Sequence, residues 1–568
     1  MNLILRIIGL AAAALFCGSL TAQTDVELII ASYFGGSGAE GGGERRVTAT
    51  VPSADGGWTM GSTTSSFDYW VSDDALIANR PGPFAIALTR FDQNGTPIYS
   101  TFLGGSGQDT FTSLAALGDS LIVAGSTSSA DYPITEGAHD SVFPGDATGF
   151  LTCVDPEGGL VWSTYFGRDA SANATKGVHV SADDFVYLTG ITDDNTLGTT
   201  GVHMEVYPEE FFFGPYLARF DRNGNLDWCT YYARVIEGTG TSPDGTKIYA
   251  YSSTGDQGAI STPAHQPEFG GGESDAFLSC FDAETGTLLW ETYYGGEGDD
   301  WIGGISVADD GLIYIAGITW SASAISTEGV HQMERSGDAD AFLACFDSEG
   351  QQVWGTYFGG EGFETGNIPR IRGGAVYLAG FTNSQEGIAA GNPVEAVLLG
   401  PSSNYLSKFN RTTGTLEWAT YIGSTQSGNC RFATAELLAD ERLLLTGSAA
   451  GACTEFITQD AWQPTYGGGN FDWWYAVYSE NTVSTSVHMR HHGFSLFPNP
   501  TADAVTLKSQ NVQEDGIFIL HDISGRAVLQ GTFRGSGTQI RTGHLPAGLY
   551  LLRAESAQGS AVIKLVKE

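Results

Sequence analysis

Positive charge is what this chain has least of. Its 568 residues hold 26 Lys and Arg against 65 Asp and Glu, a formal net charge of −39 at pH 7. Such a surface repels itself, and it turns away phosphate backbones and anionic lipid. Nucleic acid is therefore excluded as a partner, and cations or basic partners are the natural company. Cysteine is scarce too, at seven residues, which excludes a disulfide scaffold. Cys430 and Cys453 flank one strand pair and are placed to bridge in an oxidising compartment. After the first twenty-odd residues no apolar run is long enough for a membrane helix, so no membrane span is expected. The sequence holds no HExxH, no GxSxG and no phosphate-binding glycine loop.

What is abundant is glycine, at 77 residues, together with 23 Tyr, 31 Phe and 12 Trp. That mixture favours short strands and tight turns over helices. The N-terminus, MNLILRIIGLAAAALFCGSLTAQ, has a positive residue at Arg6, an apolar stretch from Ile7 to Phe16 and a small residue, Ala22, before Gln23. Residues 1–22 are read as a secretory signal peptide removed on export. Cys17 follows Phe16, where a lipoprotein signal wants a small residue, so lipidation is not expected.

One phrase recurs through the chain. SYFGGSG at Ser32, STFLGGSG at Ser100, STYFGRD at Ser163, CTYYARV at Cys229, ETYYGGEG at Glu291, GTYFGGEG at Gly355 and ATYIGST at Ala419 are copies of it, spaced by 62 to 69 residues. A fixed period is the mark of a repeat architecture. Each period holds four strand-like runs joined by turn sequences such as ADDG and DSEG. The second run carries Gly61, Gly125, Gly190, Gly317, Gly380 and Gly447, with Ser252 as the departure. The fourth carries Trp162, Trp228, Trp290, Trp354 and Trp418. Four antiparallel strands per repeat make the blade of a β-propeller. The chain opens on a lone fourth strand, ELIIASYFGG, and its repeat region ends on a third strand, FDWWYAVYS. The expected fold is therefore all-β: a seven-bladed β-propeller of four-stranded antiparallel blades over 23–480, with the N-terminal strand closing the last blade. These repeats resemble the SBBP family of propeller repeats, with its "IYxAGxT" and "DAFLxxFD…W-x-TYFGG" phrases. That resemblance implies a fold and says little about chemistry.

After Glu480 the period stops. Residues 481–492 read as a polar linker, and 493–568 as short strands forming a small C-terminal β-sandwich. The motifs Phe497-Pro498-Asn499-Pro500, Asp522-Ile523-Ser524-Gly525, Leu545-Pro546-Ala547-Gly548-Leu549-Tyr550 and the terminal Lys564 resemble the type A C-terminal sorting domain of type IX secretion cargo. The resemblance implies a bacterium of the Bacteroidota lineage and Sec export. It further implies recognition by the type IX machinery and passage across the outer membrane, with the domain cleaved and the cargo released or attached to surface lipopolysaccharide.

Candidate chemistry centres on the GG-x-G phrase. A carboxylate follows it by two positions in four copies, Glu40, Asp109, Asp300 and Glu364, and Asp299 adds a fifth acid. One reading gathers these oxygens at the mouth of the channel, where they would suit a hard cation such as Ca²⁺. The other has each acid satisfy N–H groups of its neighbouring loop. No other cofactor is expected. His139, His203, His265 and His331 share one repeat position, and Trp462 takes that slot in the last blade, which favours ring packing over metal binding. Cys153, Cys280 and Cys345 share a slot with Arg90, Arg219 and Lys408, which predicts partial burial. DRNGNLD, from Asp221, is read as a hairpin turn rather than a calcium loop. CFDAETGTLLW, from Cys280, resembles the tryptophan-docking motif of quinoprotein dehydrogenases, but those have eight blades and no cofactor ligands are found here. The expected function is an exported, non-enzymatic binding or scaffold protein for an unknown glycan or protein. The alternatives are a polysaccharide-active hydrolase or lyase, or a quinoprotein-like propeller. The stretch HMEVYPEEFFFGPY, from His203, is the most distinctive candidate contact loop.

Overall fold

The computed structural model describes residues 24–41, 49–167, 173–208, 212–256, 258, 260, 264–423, 430–453, 457–482, 494–497, 501, 503–509, 515–522, 526–534, 537–556 and 559–567. Residues 1–22, read above as a signal peptide, lie outside them, as do residues 483–492 of the expected linker. The described chain contains strands and no helix. No helix is therefore long and apolar enough to cross a membrane, among the described residues. It divides into two compact units, Asp25–Asn481 and one that contains Thr482–Glu568.

The first unit is built of seven four-stranded sheets. Six run in chain order over 49–103, 109–166, 173–231, 238–294, 300–358 and 370–422, each a simple antiparallel meander. The seventh takes Cys430–Leu437, Leu443–Ala449 and Asp472–Thr482 and receives Thr24–Phe34 as its fourth strand, beside Asp472–Thr482. That N-terminal strand is also tied to the loop before its partner. The Thr458 N–H donates to the Ala31 carbonyl (3.1 Å) and the Tyr33 N–H to that of Gln463 (3.2 Å). The first strand of every sheet touches the first strand of the next, and that of the seventh touches that of the first. These strands line one cavity of about 1370 Å³, to which all seven sheets contribute.

The repeated residues explain the stacking. Alternate side chains of each second and third strand face opposite neighbours, so buried clusters such as Leu151, Leu188, Tyr216 and Phe220 span two sheets. In the fourth strands the indole N–H reaches across to the next sheet's turn. Trp162 donates to the Arg222 carbonyl (3.0 Å), Trp228 to that of Ala283 (3.1 Å), Trp290 to that of Ser348 (3.1 Å) and Trp354 to that of Arg411 (3.0 Å). A buried indole donor needs such a partner. The second-strand glycine has its own cause. The first strand carries a bulge, between Ile302 and Gly304 in the fifth sheet, which presses the Trp301 carbonyl to 2.0 Å from where a Cβ of Gly317 would stand. Only glycine fits so close a backbone.

The C-terminal unit pairs a three-stranded sheet (Phe494–Phe497, Ala504–Ser509, Thr538–Arg541) with a four-stranded one (Asp515–Asp522, Ala527–Arg534, Gly548–Ser556, Gly559–Lys567). Val505, Leu507, Phe518, Leu520, Ile540, Leu552 and Leu565 from both sheets share one core.

Candidate functional site

The GG-x-G phrase leaves the fourth strand of one sheet and enters the first strand of the next. Its carboxylates sit at that entry, and each is fully buried: Glu40, Asp109, Asp300 and Glu364. Asp109 shows the pattern. It accepts from the Gly105 N–H (2.8 Å), the Thr127 hydroxyl (2.5 Å) and the Ser129 hydroxyl (3.0 Å). Asp300 accepts from the Gly296 N–H (2.9 Å) and Ser321 (2.7 Å). Glu364 accepts from the Gly360 N–H (2.9 Å) and Thr382 (2.6 Å), and Glu40 from Thr64 (3.1 Å) and Ser66. The donors are the loop's own glycine and the Thr-x-Ser that ends the second strand. Asp299, part-exposed, accepts from the Glu273 N–H (2.5 Å). The acids are thus divided among sheet junctions and occupied by loop donors, not gathered as free oxygens around the cavity. Among the described residues no group of three or more His, Cys, Asp or Glu is placed to hold a metal ion. The spacing could not tell an acid aimed at the channel from one turned into its loop.

A second set of acids was not singled out from the sequence. Asp275, Asp340 and Asp472 open the third strands of the fourth, fifth and seventh sheets and are fully buried. Each lies against the first glycine of the repeated phrase, opposite the first-strand acid. A Cβ on Gly295 would stand 2.5 Å from Asp300 Oδ2 and 2.7 Å from Asp275 Oδ1. One on Gly35 would stand 2.5 Å from Asp472 Oδ1 and 2.8 Å from Glu40 Oε2. A glutamine travels with each pair. The N–H groups of Gly35, Gly295 and Gly359 donate to the Gln463, Gln266 and Gln332 side-chain oxygens, each at 3.1 Å. The signal was present as a Gln eight or nine residues before Asp in these three repeats alone. It is hidden when the copies are aligned on their glycines.

These pairs are electrostatically costly. Glu40 Oε2 with Asp472 Oδ1, and Asp275 Oδ1 with Asp300 Oδ1, have no hydrogen-bond partner. Burial, with the neighbouring carboxylate's charge added, pushes Asp275 up to about 7. Burial likewise pushes Asp300 up to about 6. Glu40 and Asp472 are also held above the carboxylate range, chiefly by burial. Two facing carboxylates in a dry site hold a proton between them more readily than they hold two charges.

The histidines pack as rings. His203 lies between Tyr232 and Phe281, His265 between Tyr294 and Phe346, and His331 between Phe358 and Phe409, with centroids 5.8–6.4 Å apart. His139 sits likewise against Phe166 and Phe220. The cysteine slot meets the expectation of partial burial at Arg90 and Lys408 and corrects it at the other positions. Cys153, Cys280 and Cys345 are buried, and so is Arg219. The arginine is accommodated because its guanidinium lies 3.4 Å over the Phe185 ring and pairs with Asp227. Burial raises the thiols to about 11 for Cys153 and about 12 for Cys280 and Cys345, far from a reactive thiolate. Cys453 is disulfide-bonded; the side chain of Cys430 lies outside the described residues. Asp221 accepts from the Asn223 and Asn225 N–H groups in a hairpin turn. In the long third-sheet loop Tyr207 packs on Tyr231, whereas Phe212 is 89% exposed.

Of the sorting motif, Pro498, Asn499, Pro500 and Gly525 lie outside the described residues, as does the side chain of Lys564. Asp522 binds the Arg526 guanidinium (3.1 Å) across a hairpin. Leu545 packs on the core, and the Tyr550 hydroxyl donates to the Pro546 carbonyl (2.9 Å), fixing the turn before Gly548.

Comparison with known proteins agrees in outline. Residues 495–568 match the family described as secretion system C-terminal sorting domain. The chain is therefore a type IX secretion cargo, exported to the cell surface or medium and recognised by that machinery through this domain. Residues 274–491 match the family described as outer membrane protein assembly factor BamB, a propeller-like region. No curated protein matches the chain. Among solved structures, a protein of unknown function from Dyadobacter fermentans is similar at 8% identity, covering 80% of this chain and 99% of that one, with a TM-score of 0.38. The quinohemoprotein alcohol dehydrogenase ADHIIG of Pseudomonas putida HK5 is similar at 11% identity, over 84% and 79%, with a TM-score of 0.35.

Proposed function

We propose that the mature protein is a closed seven-bladed β-propeller that works without catalysis, binding a glycan or protein through the loop face around its channel. The blades are read as SBBP-type repeats, the tail as a type A sorting domain removed after export, and the N-terminal strand as the closing strand of the seventh blade. Support for the ring comes from the pairing of Thr24–Phe34 with Asp472–Thr482 and from the unbroken succession of first-strand contacts. Support for binding over catalysis comes from one observation: the repeat's raised carboxyls are fully buried between sheets and committed to loop donors. A glycosidase needs such an acid in an open cleft. No resident cofactor is proposed; calcium at the loop acids would appear as a chelator-sensitive part of binding. The test is an array of glycans and proteins probed with the exported chain, with and without chelator, alongside a reducing-end assay on polysaccharides. Saturable binding without new reducing ends is the expected result. New reducing ends would replace this reading with the enzymatic one.

A further inference from the structure

The fifth sheet breaks the repeat at the channel rim. In three junctions the residue after the second strand's terminal threonine closes the loop: Ser65 donates its N–H to the Ala39 carbonyl, Ser128 to that of Gln108 and Asn383 to that of Phe363. Their side chains then accept the returning N–H of Ala39 (2.8 Å), Gln108 (2.8 Å) and Phe363 (2.7 Å). In the fifth sheet that residue is Trp320. Its N–H still donates to the Asp299 carbonyl (2.8 Å), but an indole has no acceptor for the Asp299 N–H. A loop hydrogen bond has been replaced by an aromatic surface.

Three further aromatic rings extend it. Trp301 stands where other repeats have Thr110 and Thr365. It lies 5.3 Å from Trp320, edge to face, is 48% exposed and lines the channel. Phe363 stands where others have Ala39 and Gln108, 5.9 Å from Trp320, and Phe381 follows it at 6.3 Å. The last three are part-exposed. Packing alone gives no reason for such a row, since the counterparts of Trp320, Trp301 and Phe363 manage with Ser, Asn, Thr, Ala and Gln, and Phe381 stands where others have Ser62, Ser126, Ile191 and Ile318. The surroundings are polar: Asp299 and the exposed Glu361 flank the rings, and the channel wall beside them is rich in Ser, Thr and Gly.

We propose that Trp301, Trp320, Phe363 and Phe381 form a stacking platform for a neutral polysaccharide. Flat rings take the apolar faces of sugar rings, while carboxylates and free backbone groups take their hydroxyls. The net charge of −39 disfavours polyanionic glycans at the same place. An apolar peptide would want a continuous greasy patch, not rings set among acids.

This rests on the binding-protein reading above and names its ligand class. The test is native electrophoresis of the exported chain through gels carrying hydroxyethylcellulose, laminarin, galactomannan or xylan, with alginate as the polyanion. Retardation by at least one neutral polymer and none by alginate is expected. Trp301→Ala and Trp320→Ser should each weaken it about tenfold or more. Trp320→Ser restores the residue found at Ser65 and Ser128, so it keeps the fold. Trp70→Ala, at the separate Trp70–Trp462 contact, should leave retardation unchanged. No retardation by any neutral polymer overturns the platform, and so does retardation that both platform variants retain. Capture of a polypeptide on the protein array with no polysaccharide bound would overturn it while leaving the wider binding reading standing.

Discussion

The crossover from the third to the fourth sheet and the one from the fourth to the fifth solve one problem with opposite charge. The latter runs Tyr293-Tyr294-Gly295-Gly296 and is held by Asp275 and Asp300. The former runs Tyr231-Tyr232-Ala233-Arg234, and Gly214 stands where Asp275 does. There the buried Arg234 pairs with Glu291 (3.3 Å) and Asp256 (3.1 Å) and lies 4.2 Å over the Phe277 ring, while the Tyr232 hydroxyl donates to Glu291. At Gly295 the glycine is therefore a consequence of the acids. With two carboxylates packed against it no Cβ fits; without them an alanine does.

Substitutions at the two crossovers would break or sharpen this contrast. The largest effect is expected from Arg234→Ala, which leaves Glu291 charged and unpaired in a buried site, at about 3–5 kcal/mol of stability by denaturant unfolding. Arg234→Met combined with Glu291→Gln should lose clearly less, because no lone charge remains. If the double variant is as unstable as the single, the pairing is not what holds this crossover. Next comes Gly295→Ala. Its methyl would push into Asp300 and Asp275 and should cost about 1–3 kcal/mol, whereas Ala233→Gly should cost no more than about 1 kcal/mol. Equal costs at the two positions would refute the account of the glycine.

The smallest effect is in pH dependence. Asp275 and Asp300 bind a proton more tightly in the folded chain, at about 7 and about 6, than at their ordinary 3.8. Their contribution to stability is complete below that ordinary value and is lost as pH rises through 6 and 7. Asp275→Asn removes one charge and keeps a donor. Its melting temperature should fall less than that of the wild type between pH 4 and pH 7. Parallel curves would mean that the pair holds no shared proton.

The sheets were legible because each is announced by independent local marks: hairpin turns, the second-strand glycine and the fourth-strand tryptophan. The loop acids were legible as positions and not as directions. A carboxylate two residues past GG-x-G reads alike whether it faces the channel or the Thr-x-Ser donors of its own loop, and those donors lie some twenty residues away, as Thr127 and Ser129 do from Asp109. The third-strand acids escaped because three repeats have them and Ala85, Thr148, Gly214 and Ser403 replace them in the others. The cysteine slot misled because a buried arginine looks exposed in sequence until an aromatic face such as Phe185 is found beneath it.

The strand Thr24–Phe34 comes first among the described residues, and its partner, Asp472–Thr482, is among the last before the sorting domain. No nascent chain can finish this sheet while it is being synthesised, and any chain truncated before Asp472 carries an unmated edge at each end. The last pairing of this sheet is therefore a late event by construction: it waits until the whole length between its two strands has been made.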